Sequence, residues 1–369
     1  MRSLTTEQPA GSSGPAKGGR WSAFGDGLRR NRLVLLVSIF LITLPLWETP
    51  LSDLTSVRIL YHLRLVGIYT IVAVGLNLLI GYAGQVSLGH AAFFGIGAYT
   101  TAILTTRAGW PPWVGIPAAM LIAGAIGLVL GSIVLRLKGH YLAMATLALG
   151  IIVFVLFREL HWLTLGTDGI NYIPPLSLPG LKITSRAGQY YFIWTIALLV
   201  LLFCSNVIDS RVGRALRALH HSEVAAAAMG VDVALYKVRV FTLSAILAGL
   251  AGALFAHIQT FINPSAFYID LSIMLVTMVV VGGMSSIWGA VAGAATITFI
   301  RPIVGALPRW FEDVPDWVKN YSNYEALVFG LILVLTMVFM PSGITRSVTD
   351  LLKQRRSPFN NPFRKRRWE

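Results

Sequence analysis

RVGRALRALHHSEVAAAAMGVDVALYKVRVF, residues 211–241, is a polar interval between two long apolar segments. It carries five basic residues: Arg211, Arg214, Arg217, Lys237 and Arg239. Val212, Ala215, Leu216 and Leu219 recur at helical spacing and predict one apolar face, with Arg211, Arg214, Arg217 and His221 opposite. Ser222 is placed to cap a second short helix, with Glu223 in its electropositive first turn and Gly230 at its end. Asp232 is placed to cap a third helix that continues into the next apolar segment. Two readings fit these residues. One is a basic amphipathic connector lying on anionic lipid. The other is a folded docking element pressed against a soluble partner.

The chain around this interval is apolar. Hydrophobic residues make up 55% and charged residues 12%, and mean hydropathy is +0.69; soluble domains carry about 25% charge. Such a chain must be solvated by lipid. The net charge of +14 raises nucleic acid as a partner, but its placement argues otherwise. Basic residues gather before Leu33 (Arg2, Lys17, Arg20, Arg29, Arg30, Arg32) and after Pro341 (Arg346, Lys353, Arg355, Arg356, Arg364, Lys365, Arg366, Arg367). They flank membrane spans, as the positive-inside rule requires, so no nucleic-acid partner is expected. The single cysteine, Cys204, permits no disulfide or cysteine-built metal site within one chain.

Residues 1–32 predict a basic disordered cytoplasmic tail and 342–369 a second basic cytoplasmic tail, with a transmembrane domain over 33–341. Leu33–Trp47 is the first apolar run, and no small-residue cleavage site follows it. Further runs lie at about 59–80, 84–106, 114–135, 140–160, 190–208, 239–260, 267–303 and 325–341. With both tails inside, the number of crossings is even. That places the 209–239 loop inside, and 161–189 and 304–324 outside. The run 267–303, broken at Gly282-Gly283-Met284-Ser285-Ser286, then crosses twice, giving about ten transmembrane helices.

Two interruptions carry small residues around a serine: Gly81-Tyr-Ala-Gly-Gln-Val-Ser-Leu-Gly-His90, and Gly282–Gly289. Paired breaks in the two halves of a transporter point to a pathway between half-helices; small residues also serve close helix packing. Asn77, Gln85, Ser87, His90 and Ser285 are therefore candidates for lining a pathway, or for hydrogen-bonding between neighbouring helices. His90, His140 and His257 have no spacing that makes a metal site. No carboxylate falls mid-span, so a proton relay is missing, and no Gly-x4-Gly-Lys-Ser/Thr occurs, so ATP is not bound through a P-loop. The energy source is expected on another polypeptide.

Glu223-Val-Ala-Ala-Ala-Ala-Met-Gly230 resembles the EAA-type cytoplasmic loop by which permeases of ATP-driven (ABC) importers seat on their ATPases. Val224 replaces the usual first Ala, and the Glu-to-Gly spacing is one residue longer. Residues 75–104 (GLNLLIGYAGQVSLGHAAFFGIGAYTTAIL), 139–154 (GHYLAMATLALGIIVF), Gly166-Thr-Asp-Gly169 and 282–294 (GGMSSIWGAVAGA) resemble the LivM-type permease family of high-affinity branched-chain amino-acid importers, over about 60–345. The resemblance implies an all-α permease similar in architecture to the cobalamin-importer class. It implies a non-enzymatic, cofactor-free subunit of a bacterial inner membrane, paired with a homologous LivH-type permease, two ATP-binding subunits and a periplasmic binding protein. ATPase-coupling residues would then be Arg214, Arg217, Glu223, Ala226 and Gly230. The family also serves urea, short amides and aromatic acids, so the cargo stays open. A self-contained secondary carrier is the competing reading.

Overall fold

The computed structural model describes residues 59–137, 139–178 and 181–310, together with Leu331 and Val334. The expected span at 33–47 and both basic tails lie outside the described residues, and the span at 325–341 is described only at those last two positions.

The described chain is helical almost throughout. α1 (Ile59–Asn77) runs into a π-helical turn (Leu78–Tyr82). α2 (His90–Thr106), α3 (Pro112–Val134) and α4 (His140–Glu159) follow, then a single turn, α5 (His161–Thr164). A small antiparallel pair, β1 (Ser177–Leu178) and β2 (Leu181–Lys182), sets Ser177 opposite Lys182. Next come α6 (Arg186–Asp209), α7 (Arg211–His221), α8 (Glu223–Ala228) and α9 (Val233–Gln259). α10 (Ile269–Gly282) and α11 (Ile287–Trp310) complete the series.

Six of these segments are long and apolar enough to cross a bilayer: Ile59–Tyr82, Pro112–Val134, His140–Glu159, Arg186–Asp209, Val233–Gln259 and Pro264–Gly282. α1 and α9 have no one-sided apolar stripe and form the centre. α1 touches α6, α9, α10 and α11; α9 touches α1, α2 and α3. Small residues let α2 and α9 approach at backbone distance. A Cβ at Gly97 would overlap the Gly249 backbone, and one at Gly252 the Phe94 carbonyl. α3, α4 and α6 instead keep broad apolar faces outward, with Leu121, Ile152 and Leu199 all exposed.

One boundary differs from expectation. The third span begins at His90, because Gly84–Gly89 is irregular backbone. The apolar run from 239 continues a helix that begins at Val233, capped by Asp232 as expected. The run 267–303 is two helices broken at Gly282–Ser286; α11 doubles back along α10, so that a Cβ at Gly293 would overlap the Met278 carbonyl. α10 has 14 residues, a rise of about 21 Å.

At the end of α9 opposite α7 and α8, the 160–185 segment is pinned to the helix. Ile170 and Ile262 exchange backbone hydrogen bonds, and Ile173 N donates to Thr260 O at 3.1 Å. His257 Nδ1 reaches Pro174 O at 2.7 Å. A carbonyl can only accept, so Nδ1 carries the proton, and Nε2 accepts from the Thr101 hydroxyl at 2.9 Å.

Candidate functional site

The 211–239 interval folds as three helix starts, each closed by a side chain. Ser210 Oγ accepts from Val212 N at 3.1 Å, Ser222 Oγ from Ala225 N at 3.2 Å, and Asp232 Oδ1 from Leu235 N at 3.0 Å. Each answers one of the amides a helix leaves without a partner at its start. α8 ends on a Schellman arrangement: Val231 N donates to Ala226 O at 3.1 Å and Gly230 N to Ala227 O at 2.9 Å. Gly230 has φ +80°, the left-handed region that closes such a turn.

α7 is amphipathic. Gly213, Ala215, Leu216 and Leu219 are buried, while Arg211, Arg214, Arg217 and His221 are exposed. Val212, expected on the buried face, is exposed at the helix start, where the chain turns sharply out of α6. Ala226 is the buried residue of α8, and Val224 and Met229 stand 80% and 85% exposed beside it. Lys237 departs from the other basic residues of the interval. It is buried and donates from Nζ to Glu223 Oε1 at 2.5 Å, tying α8 to the foot of α9. Glu223 thus serves both the positive end of α8 and a buried ammonium.

α7 rests on the first break. A side chain at Gly84 would meet the His220 imidazole at 3.1 Å. One turn earlier, the same break grips the second. Asn77 Nδ2 donates to Ser286 O at 2.7 Å, and Ser285 N donates to Asn77 Oδ1 at 3.0 Å. Ser285 Oγ donates to Gly81 O at 2.5 Å, and Tyr82 OH to Ser285 O at 2.7 Å. Ser285 holds φ +63° to make this fit. Ser286 Oγ accepts from Gly289 N at 3.1 Å at the start of α11. No room remains at Gly81, where a Cβ would overlap both Asn77 Oδ1 and Ser285 N.

A second polar chain lies at the start of α2. Ser87 Oγ and His90 Nδ1 are 2.9 Å apart, and His90 Nε2 and Ser244 Oγ 2.7 Å. Leu88 N donates to Thr146 Oγ1 at 3.1 Å, and Ala91 N to Ser272 Oγ at 3.1 Å. These bonds join α2 to α4, α9 and α10. The structure therefore brings Asn77 together with Ser285, and Ser87 together with His90, each pair inside helix packing. Gln85 stands apart; its side chain is buried, with neither polar atom hydrogen-bonded among the described residues.

One functional candidate escaped the sequence reading. Arg64 of α1 is buried, donates from Nη1 to Gln189 Oε1, and lies with its guanidinium 5.7 Å from the Tyr61 ring centre. A lone basic residue inside the 59–80 apolar run was the available signal. His90 and His257 do not converge, and among the described residues no group of three His, Cys, Asp or Glu side chains is placed to hold a metal.

A family model described as branched-chain amino acid transport system / permease component matches residues 58–337. The chain is 33% identical over 309 residues to the high-affinity branched-chain amino acid transport system permease protein LivM of Escherichia coli (strain K12), covering 78% of this chain and 69% of that protein. It is 26% identical over 340 residues to the probable branched-chain amino acid transport permease protein LivM of Methanocaldococcus jannaschii, covering 79% and 93%. It is also 24% identical over 293 residues to the high-affinity permease protein LivH of Escherichia coli (strain K12), covering 75% and 90%.

Proposed function

The chain belongs to the branched-chain amino acid transport system / permease component family, and we propose that it forms one half of the translocation pathway of an ABC importer for branched-chain amino acids. The observation that carries this reading is the family match across residues 58–337, which takes in every described helix. The other half is a homologous permease of the LivH type; the likeness of this chain to both LivM and LivH fits two related halves. Two ATPase subunits and a periplasmic binding protein complete the machine.

In this reading the chain crosses a bacterial inner membrane about ten times, α10 and α11 included, with both tails cytoplasmic. The fold is of the cobalamin-importer class. α7 and α8 face the cytoplasm and seat on an ATPase. Three side-chain caps and a glycine-closed end support a rigid element rather than a connector lying on lipid. Val224 and Met229 supply an apolar contact, and Arg214 and Arg217 flank it with charge. Ala226 packs the element inward, Gly230 closes it, and Glu223 links it through Lys237 to α9. A load on α8 then reaches α9 directly, and through His220 and Gly84 it reaches the two breaks, where Asn77, Gln85, Ser87, His90 and Ser285 lie.

The test is reconstitution in liposomes. This chain alone neither hydrolyses ATP nor accumulates substrate. Adding the partner permease, both ATPases and loaded binding protein gives ATP-dependent uptake. A panel of leucine, isoleucine, valine, urea, a short amide and an aromatic amino acid identifies the cargo. Accumulation by this chain alone on a proton or sodium gradient would replace the proposal with a secondary carrier.

A further inference from the structure

α3 and α4 diverge from one another, leaving a trough of about 640 Å³ with α2 as its floor. Its walls are almost wholly carbon, among them Ile122, Ile126, Ile152 and Leu156, and three of these four side chains are exposed. It runs from Val134 and Ala145 to Leu160 and Thr164. Along α4 that is a rise of about 22 Å, the greater part of a ~30 Å hydrocarbon layer.

The two ends differ in charge. The turn joining the walls, 135–139, lies across the end at Val134 and Ala145. Arg136 and His140 are exposed there, and Lys138 falls in the same stretch of sequence. At the far end Arg158 pairs with Glu159 at 3.7 Å, and Arg107 donates to Trp162 O at 2.6 Å. The far end sets exposed Arg107 and Arg158 against exposed Glu159 and Asp168, whereas no acidic residue falls within 131–145; net basic charge therefore marks the Arg136 mouth, on the same side of the helix array as Arg211, Arg214 and Arg217.

We propose that the trough holds an acyl chain of an anionic phospholipid, with its phosphate against Arg136 and His140. The walls match hydrocarbon, and the charge sits where a headgroup of that leaflet would lie. This inference stands independently of the importer reading, because it concerns only the surface of this chain.

Native mass spectrometry of the delipidated full chain tests it, with dioleoyl phosphatidylglycerol and dioleoyl phosphatidylcholine as probes. The first phosphatidylglycerol should bind tighter than phosphatidylcholine by roughly five-fold or more, the scale of one basic residue at an anionic surface. Arg136→Gln with His140→Gln should bring it to the phosphatidylcholine level. Ala148→Phe, which fills the trough from an exposed position, should weaken both lipids, while Leu199→Phe on the outward face of α6 changes neither. Equal binding of the two lipids by the unaltered chain, or full binding by either trough variant, would overturn the proposal. So would a disulfide in a Cys204→Ala background from Ile152→Cys to its counterpart in a second copy, or to Phe40→Cys in the first apolar run of the sequence, since either assigns the trough to protein.

Discussion

Replacing Asn77 with Ala removes two hydrogen bonds at a point where two broken helices are held to each other. Asn77 is 1% exposed, and its amide answers both Ser286 O, at 2.7 Å, and Ser285 N, at 3.0 Å. Each bond contributes about 1 kcal/mol net, and a buried partner left without one costs about 1–3 kcal/mol. Ser285 and Ser286 are half-buried, so water reaches them in part and the penalty falls toward its lower end. The expected loss is about 2–3 kcal/mol. For a chain of this length about 2 °C accompanies each kcal/mol, which predicts a fall of roughly 4–6 °C in Tm. The assay is thermal unfolding in detergent, followed by tryptophan fluorescence. Ser285→Gly is the companion variant. It gives up the hydroxyl bond to Gly81 O, about 1 kcal/mol, but relieves a left-handed serine of a similar amount. Its Tm should lie within about 1 °C of the parent. An Asn77→Ala protein melting within that same margin, or a Ser285→Gly protein falling as far as Asn77→Ala, would refute the reasoning.

Other variants address the neighbouring elements. Glu223→Gln strands the buried Lys237 ammonium and should destabilise by about 1–3 kcal/mol once the half-exposure of Glu223 is allowed for, whereas Lys237→Met, removing the buried charge itself, should be near neutral by the same melting assay. Gly230→Val places a β-branched residue at φ +80°; it and Glu223→Arg should lower ATP-driven uptake in the assembled importer while membrane insertion, checked by fractionation, is kept. In a Cys204→Ala background, Tyr172→Cys should react with an impermeant thiol reagent from outside and Val224→Cys only after the membrane is opened; the reverse pattern would invert the topology.

The parts of this molecule that were legible in the sequence are those fixed by local chemistry. Ser222, Gly230 and Asp232 each act within a few residues of themselves, and all three stand where capping rules put them. The break at Gly282–Ser286 was readable because glycine and serine interrupt an otherwise continuous apolar run. Inside lipid the usual guide fails. Apart from Arg64 and the basic first turns of α9, α1 and α9 carry apolar residues on all faces, so no period in their sequence says which neighbour each face meets. That is why the Asn77–Ser285 contact, between residues more than two hundred positions apart, could not be foreseen. Lys237 misled for another reason. In sequence it belongs to a run of exposed basic residues, and only the fold of α8 back onto α9 brings Glu223 to it.

α9 has a consequence that reaches beyond any single contact. It has 27 residues, about 40 Å of continuous helix. One end is gripped by Glu223 on α8, and the other by Pro174 through His257. A rod held at both ends cannot report to one face of the membrane alone. A tilt of about 5° around its middle would carry the two ends in opposite directions by roughly 2 Å each, enough to break a hydrogen bond at either grip. Displacement at one end of α9 is thereby tied to displacement at the other, in the opposite direction.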